Sequence, residues 1–425
     1  MTIRILQLSD IHFSTKHDDE VIEHDDVRTQ LFYDLRNEVI PRLGNADAVL
    51  IAGDIAFSGK QEEYERAASW LETITSACGC KRTDVLTVPG NHDVDRRRVG
   101  AAAKMLHRRL RSSGLPEATR ELTELIETHD GSLIDKLSDY QAFAASYGCH
   151  FKSPSRPHWE RHFALDGAFR LNFIGLTTVL VCDAEDQIGS LLLGKSQYII
   201  DRPPCVEQVV VMHHPLEWLK DGRQAHDYLH SRARILIFGH EHYQHINQVT
   251  GSGGEDRLVI GSGAVTPDSA ADPYIYRYNI LEFSRVDIEG SPGLAVTVHP
   301  RLWVRERTCF EADTLRLSGQ QSTTFRLRCP QFSLSHPPAD GSAIPDAAAN
   351  DVFVRLSYFY WRYLDWKQRL TVLVQADILP HSHPSTLLSL GEHGLRRAQR
   401  ENKLRHLWDV IMSMLPADKR EPNPL

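Results

Sequence analysis

The sequence predicts an α/β fold, a sandwich of two sheets with flanking helices, followed by a small all-α region at the carboxyl terminus. Three observations predict it. Short continuous apolar runs recur through residues 1–250, as is typical of strands buried on both faces. Segments with apolar residues at helical spacing lie between these runs. Beyond a proline- and alanine-rich segment at residues 330–350, the apolar residues follow helical spacing alone.

Five of the apolar runs end in polar residues. The runs are Ile3–Leu8, Ala48–Ala52, Asp84–Val88, Val209–Met212 and Ile235–Phe238. In layered α/β folds, ligand sites assemble at the carboxyl edge of the sheet, because the loops leave the strands there. We therefore expect these five strand ends to converge on one site.

The remaining segments complete the predicted architecture. Glu62–Thr75 is predicted to be a surface helix, and residues 96–160 a helical insertion that forms a cap over the site. Further strands are predicted at Leu171–Leu176 and Thr178–Val181, and a second sheet is completed by Leu258–Ile260, Tyr278–Phe283 and Leu294–Val298. The predicted domains are residues 1–305, a strand-containing extension and linker at 306–350, and a helical domain at 351–425.

Composition narrows the class of protein. The chain is 41% hydrophobic and 24% charged, as in ordinary globular proteins, and its seven cysteines form no paired pattern. We therefore expect a reduced, cytoplasmic compartment. No apolar stretch approaches the length of a membrane span. A formal net charge of −8 argues mildly against a protein that holds duplex DNA through its surface alone.

The carboxyl-terminal region differs in charge from the rest. Residues 351–425 contain 8 Arg and 3 Lys against 5 Asp and 3 Glu, whereas the whole chain carries −8. This contrast favours a separate module, with a protein partner or homo-oligomerisation as its role, or simple packing on its own domain. The aromatic run Tyr358–Tyr363 is interpreted as core of the helical bundle rather than as a stacking surface for nucleic acid.

The polar residues at the strand ends point to metal chemistry. They are Asp10, His12, Asp54, Asn91, His92, His213, His240 and His242. Carboxylates crowded at one sheet edge repel one another, and divalent cations turn the same group into a coordination shell. Carboxylate, imidazole and amide ligands suit Mn²⁺, Fe²⁺/Fe³⁺ or Zn²⁺, and no cysteine is present in the set to favour softer metals.

The same residues fall into five ordered motifs, Asp10-Ile-His12, Gly53-Asp54, Gly90-Asn-His-Asp93, His213-His-Pro215 and Gly239-His-Glu-His242. Together they resemble the motif set of the calcineurin-like metallophosphoesterases over residues 1–300. The resemblance implies the two-sheet fold of that family and two divalent metal ions.

The resemblance also implies roles for individual residues. Asp10, His12 and His242 would hold one metal, while Asn91, His213 and His240 would hold the other. Asp54 would bridge the two. His92 would donate a proton to the leaving oxygen or stabilise the transition state, and either Asp93 or Asp95 could orient it.

Two further residues are interpreted as substrate-binding. His214 follows a predicted ligand directly, so it lies either behind the ligands or against the substrate. Arg96 begins an arginine run after the third motif, and it either contacts substrate phosphate or forms part of a solvated face.

The motifs are similar to those of the bacterial phosphodiesterase-type branch, so we expect hydrolysis of a phosphodiester, of a nucleotide or similar small molecule, by a metal-activated hydroxide. The alternatives are a metal-dependent nuclease effector in a bacterial conflict or defence system, a phosphomonoesterase, and a non-catalytic scaffold. The complete ligand set argues against the scaffold.

Overall fold

A computed structural model describes residues 1–16, 19–128, 130–151, 156–242, 244–250, 256–266, 275–314, 317–329, 347–379 and 387–425. The chain forms two compact units. The first comprises Met1–Tyr140 and Phe151–Ala339, and the second comprises Gln141–His150 and Asp340–Leu425. The predicted linker at 330–350 lies almost entirely outside the described residues.

The first sheet belongs to the first unit and has the strand order β12-β11-β10-β1-β2-β3, with β13 paired to β11. β1, β2 and β3 run parallel, and β10 is antiparallel to β1. Its strands are β1 (Thr2–Leu8), β2 (Ala48–Ile51), β3 (Val85–Thr87), β10 (Arg277–Ile288), β11 (Ser291–Val304), β12 (Cys309–Ala312) and β13 (Thr323–Arg328).

The second sheet has the order β4-β5-β6-β7-β9-β8, and its central strands β5, β6, β7 and β9 run parallel. Its strands are β4 (His158–Asp166), β5 (Phe169–Leu176), β6 (Val206–Met212), β7 (Ala233–Phe238), β8 (His245–Thr250) and β9 (Asp256–Gly261). Aromatic residues pack between the two sheets. For example, the ring centroids of Phe173 on β5 and Phe283 on β10 are 5.8 Å apart.

Helices flank the sheets of the first unit and form a large insertion after β3. The helices are α1 (Asp19–Asp34), which continues through a π-helical turn, α2 (Ile40–Leu43), α3 (Gln61–Cys78), α4 (Ala101–Ser112), α5 (Leu115–Glu127), α6 (Gly131–Ile134), α7 (Ser138–Ala145), α8 (Lys195–Tyr198) and α9 (Gly222–Arg232). None of the helices in the described part of the chain has the length and apolar character needed to cross a bilayer.

These observations confirm the predicted two-sheet α/β fold, and all five apolar runs that end in polar residues contain strands. Two details of the prediction are wrong. Tyr278–Phe283 and Leu294–Val298 lie in the first sheet, because β10 pairs with β1 and not with β9. Thr178–Val181 is a buried turn rather than a strand, and its apolar side chains join the core beneath the insertion.

The second unit is helical, with α10 (Ala347–Tyr363), α11 (Trp366–Gln375), α12 (Leu387–Arg400) and α13 (Leu404–Met414). Tyr358, Phe359 and Tyr360 are each at most 2% exposed, which confirms the interpretation of the aromatic run as core. Residues 141–150 of the insertion belong to this unit, so α7 begins in the first unit and ends in the second, and Ala145 lies in the hydrophobic core of the second. The helical unit is therefore assembled from two separate stretches of sequence.

Candidate metal centre

Loops that follow β1, β2, β3, β6 and β7 bring the predicted strand-end residues together. Possible metal-ligand atoms lie within 4.8 Å of one another in four overlapping groups, which are Asp10, His12 and His242; Asp10, Asp54 and His213; His12, Asp54 and His92; and His213, His214 and His240. We call these eight residues and Asn91 the strand-end cluster.

The backbone of the strand-end cluster is strained. Asp10 and His12 (φ 52°), Asp54 and His242 (φ 53°) and His240 (φ 69°) all have left-handed backbone conformations. Residues other than glycine rarely adopt this backbone region. Those that do are concentrated at functional sites, where the surrounding structure keeps them in the strained conformation. Five predicted ligands therefore share a conformation that stability alone does not favour.

Glycines make room for the ligands. A Cβ on Gly53, whose φ is +100°, would overlap the His213 ring, and a Cβ on Gly90 would overlap the Asp54 carboxylate. The glycine before a ligand in these motifs thus has a steric reason, since it lets ligands from neighbouring loops approach one another.

In the first group of ligands, buried polar atoms lack hydrogen-bond partners. His242 Nε2 lies 3.3 Å from Asp10 Oδ1, yet no described residue donates an aligned hydrogen bond to Oδ1. The buried Nδ1 of His12 also has no hydrogen-bond partner among the described residues. Burial would raise the pKa of Asp10, but the nearby charge of His242 holds it at about 2. Burial lowers the pKa of His12 to about 4. The group thus offers a carboxylate and a neutral imidazole, as a cation requires.

The second group is centred on His213 and Asp54. His213 Nδ1 donates to the Ala52 carbonyl at 2.8 Å, and its Nε2 lies 3.2 Å from Asn91 Oδ1 and 3.3 Å from Asp54 Oδ2. The Ala52 carbonyl fixes the ring orientation, as partners of metal-binding histidines commonly do. Burial would lower the pKa of His213, but the Asp54 carboxylate raises it to about 9.

His240 and His214 lie side by side, with ring centroids 4.4 Å apart. Burial lowers the pKa of His240 to about 4 and that of His214 well below its usual value. His214 Nδ1 bonds to the Thr178 hydroxyl at 2.8 Å, and its buried Nε2 has no partner among the described residues. Trp218 packs edge-on against His240 at 4.3 Å.

His92 is held by its own backbone and by its ring. Its backbone N–H donates to Asp54 Oδ1 at 2.8 Å, and its Nδ1 lies 2.9 Å from the Phe57 carbonyl. Because a carbonyl can only accept, Nδ1 carries the proton and Nε2 is the atom left for chemistry. The His92 imidazole is therefore hydrogen-bonded to the Phe57 carbonyl and not to Asp93 or Asp95, the two aspartates named from the sequence.

The Asp93 carboxylate is hydrogen-bonded to the backbone of two loops. Its carboxylate accepts from the N–H groups of Ala56 and Gly90, both at 2.9 Å, from Ile55 N at 3.2 Å and from the Tyr64 hydroxyl at 2.9 Å. Burial and the neighbouring Asp54 raise the pKa of Asp93 to about 6. Asp93 thus ties the loop that carries Asp54 to the loop that carries Asn91.

The three arginines after the third motif, Arg96, Arg97 and Arg98, differ in their contacts. Asp95 accepts from Arg97 at 3.0 Å and from Arg98 at 3.3 Å. Arg96 is exposed and forms no ion pair within the described part of the chain. Of the three arginines, Arg96 is therefore the one that forms no ion pair with a described residue, and its contact with a substrate stays a prediction.

Sequence reasoning missed the groups that hold the ligands. Phe57, Thr178, Tyr64 and the Ala52 carbonyl act through contacts that no local pattern shows. Of these, only Tyr64 was indicated by a sequence pattern. It lies on the apolar face of α3, and that pattern indicated core packing and not a contact with Asp93.

Comparison with known proteins agrees with this geometry. The calcineurin-like phosphoesterase family model matches residues 3–244, more than half of the chain. The chain belongs to this family, as the resemblance of its motifs predicted. Members are metallophosphoesterases, and the His and Asp groups of the strand-end cluster are positioned for the divalent metals that the family uses.

The chain is 25% identical over 307 residues to the uncharacterised metallophosphoesterase-like protein YydB of Bacillus subtilis (strain 168), covering 69% of this chain and 58% of that protein. It therefore spans little more than half of that relative.

Solved structures match at lower identity. They include the NAD nucleotidase of Haemophilus influenzae, at 12% identity and a TM-score of 0.35, covering 72% of this chain and 52% of that one. Another is a 5′-nucleotidase precursor of Thermus thermophilus, at 14% identity and a TM-score of 0.33, covering 88% of this chain and 60% of that one. Likeness at this level says nothing about the substrate of the present chain.

Proposed function

We propose that this protein hydrolyses a phosphodiester bond of a nucleotide or similarly small diester, with two divalent cations at the strand-end cluster. The observation that carries the proposal is the convergence of possible metal-ligand atoms from five loops. Among them, buried polar atoms of Asp10, His12 and His214 have no hydrogen-bond partner among the described residues. Leaving such atoms unsatisfied costs about 1–3 kcal/mol each, so a bound cation is the simplest reason for the arrangement.

The residues fit two metals. Asp10, His12 and His242 would hold one, Asn91, His213 and His240 the other, and Asp54 would bridge them. Two such cations supply a more acidic water and neutralise charge on the phosphoryl oxygens. The donor set of carboxylate, imidazole and amide suits Mn²⁺, Fe²⁺/Fe³⁺ or Zn²⁺.

The chain itself supplies proton transfer and orientation. His92 is the proposed proton donor. With both ring nitrogens protonated, Nε2 delivers its proton to the leaving oxygen as the bond from phosphorus to that oxygen breaks, and the neutral ring that remains keeps its Nδ1 proton. The Phe57 carbonyl keeps Nδ1 protonated and the ring oriented. Asp93 positions the loops that hold Asp54 and Asn91, so we propose a positioning role for it in place of direct contact with His92.

The preference for a diester rests on the sequence. The segments Ile51–Gly59 and Val88–Val94 resemble the phosphodiesterase-type branch of the family. Arg96, exposed beside the third motif, is proposed to bind a substrate phosphate oxygen. His214 is fully buried against His213 and His240, so we propose that it supports these ligands and does not contact the substrate.

The test compares hydrolysis of bis-p-nitrophenyl phosphate, p-nitrophenyl phosphate and single-stranded DNA with added Mn²⁺. We expect the small diester to be cleaved fastest and His92→Gln to lower its turnover by about 10²–10⁴-fold, the usual contribution of a positioned proton donor. His226→Gln, an exposed histidine on α9, is the matched control and should leave turnover unchanged.

The outcomes separate the alternatives. Faster cleavage of the monoester would replace the diesterase with a phosphomonoesterase, and efficient DNA cleavage lost in His92→Gln would favour the nuclease. Absence of Mn²⁺-dependent turnover on all three substrates would contradict the proposal.

A further inference from the structure

One aromatic and one cationic side chain lie beside the proposed proton donor, and nothing described so far uses them. The Phe57 ring centroid is 5.4 Å from that of His92 and 6.3 Å from that of His12. The Lys16 ammonium lies 4.6 Å from the centroid of the Phe57 ring. Both residues come from loops that also carry proposed ligands.

Both side chains are partly open to solvent. Phe57 is 38% exposed, and the Lys16 ammonium lies over its ring. Lys16 is exposed, and within the described part of the chain no carboxylate pairs with it. Part of an aromatic ring and an ammonium group are therefore accessible next to the His92 imidazole.

The position of His92 decides which part of the substrate meets this pair. A proton donor must lie within hydrogen-bond reach of the leaving oxygen, so the leaving group occupies the His92 side of the cluster. His240 is contacted instead by His214 and Trp218. Because the Phe57 ring contacts the His92 ring and Lys16 lies over Phe57, we place these two side chains beside the leaving group.

We propose that Phe57 and Lys16 form a leaving-group subsite that takes a nucleoside bearing a further phosphate, which makes the substrate a short oligonucleotide or dinucleotide. The planar base packs on the Phe57 ring, because every base offers a π-face to an aromatic side chain. The additional phosphate pairs with the Lys16 ammonium. The inference rests on the proposed diesterase function and names its substrate class.

The test uses deoxyadenylyl-(3′→5′)-deoxyadenosine with and without a 3′-terminal phosphate, and the variants Phe57→Leu and Lys16→Met. Loss of base stacking should lower kcat/KM of Phe57→Leu about 5- to 150-fold on both substrates. Lys16→Met should lower kcat/KM about 3- to 10-fold only on the 3′-phosphorylated substrate, and rising salt should erase this difference. Lys81→Met, an exposed lysine before β3, should match wild type.

Inhibition by inorganic phosphate checks the metal centre, because its inhibition constant should be the same in wild type and in both variants. Equal kcat/KM losses on both substrates in Lys16→Met, or a weakened phosphate inhibition in Phe57→Leu, would show a structural effect and overturn the inference. So would variants that match wild type on both dinucleotides while bis-p-nitrophenyl phosphate is cleaved. Failure to cleave bis-p-nitrophenyl phosphate at all would instead contradict the proposed function.

Discussion

Two groups of buried ionisable side chains in the first unit are built differently. One is the strand-end cluster. The other joins the helical insertion to the loop after β5, and we call it the insertion cluster. Its members are His107 on α4, Arg111, Lys136, Asp183 and Asp186. Both groups are largely shielded from water, so their differences concern contacts and backbone rather than exposure.

In the insertion cluster the charges are paired. Asp183 accepts from His107 Nδ1 at 2.8 Å and from Arg111 at 2.9 Å, and Arg111 also reaches Asp186 at 2.6 Å. The Lys136 ammonium donates to the carbonyls of Leu180 and Cys182 at 2.9 and 2.8 Å. None of the five residues has a left-handed backbone.

The strand-end cluster shows the reverse. It holds Asp10 and Asp54 among imidazoles whose pKa values are shifted in both directions. Among the described residues it leaves buried polar atoms of Asp10, His12 and His214 without hydrogen-bond partners, whereas in the insertion cluster Arg111 Nε alone lacks one. It also places five residues in left-handed conformations. A structural group pairs most of its charges, whereas a site for a ligand keeps strained and unsatisfied atoms for it. Contacts and backbone strain, and not burial, therefore distinguish the two.

The largest expected effect comes from matched substitutions in the two groups. Asp54→Asn should lower turnover of bis-p-nitrophenyl phosphate by more than about 10⁴-fold, because it removes the proposed bridge between two cations as well as their positions. Asp183→Asn should leave turnover within about tenfold of wild type but destabilise folding by about 3–5 kcal/mol, since it removes the buried carboxylate that pairs with His107 and leaves Arg111 to pair with Asp186.

Metal analysis and urea unfolding measure the two effects. Asp54→Asn should bind fewer metal ions per chain, and Asp183→Asn should keep the wild-type content. If Asp183→Asn loses metal while Asp54→Asn retains it, the assignment of the two clusters is reversed.

A smaller effect is expected from Asp93, which shares features of both groups, since it lies at the metal site but is fully hydrogen-bonded. Asp93→Asn replaces an acceptor oxygen by an NH₂ group that faces backbone N–H donors, so it should destabilise folding by about 1–3 kcal/mol. Through displacement of the ligand loops it should lower turnover about 10- to 100-fold. Thermal unfolding and kinetics on one preparation test this, and a loss of turnover without any loss of stability would indicate a direct catalytic role.

The sequence predicted which residues gather at the strand-end cluster, because every predicted ligand follows a buried apolar strand and parallel strands of one sheet end at one edge. It did not show that β6 and β7 belong to a second sheet, so the meeting of strand ends from two sheets is a tertiary feature. The sequence was also not sufficient for the insertion cluster. His107 and Asp183 are 76 residues apart and lie in segments with no shared pattern, so only tertiary structure pairs them. The same limit applies to Phe57, whose contact with His92 uses a backbone carbonyl, a group that every residue possesses.

The smallest expected effect is the pH dependence of stability that Lys136 of the insertion cluster should contribute. Burial lowers the pKa of Lys136 from its usual 10.5 to about 8, with charged or titratable neighbours in His107, Arg111, Cys182, Asp183 and Asp186. Below pH 8 folded and unfolded chains both hold the proton. Between pH 8 and 10.5 the unfolded chain holds a proton that the folded chain has lost, so stability rises with pH.

The difference in unfolding free energy between wild type and Lys136→Met should therefore shift in favour of wild type by about 2 kcal/mol from pH 8 to pH 10. Urea unfolding at the two pH values measures it, and the constant effect of the lost carbonyl bonds cancels in the comparison. Lys104→Met, an exposed lysine on α4, should show no such shift. A difference for Lys136→Met that stays constant with pH would mean that Lys136 keeps its proton, and that its two carbonyl partners and the aspartates outweigh burial.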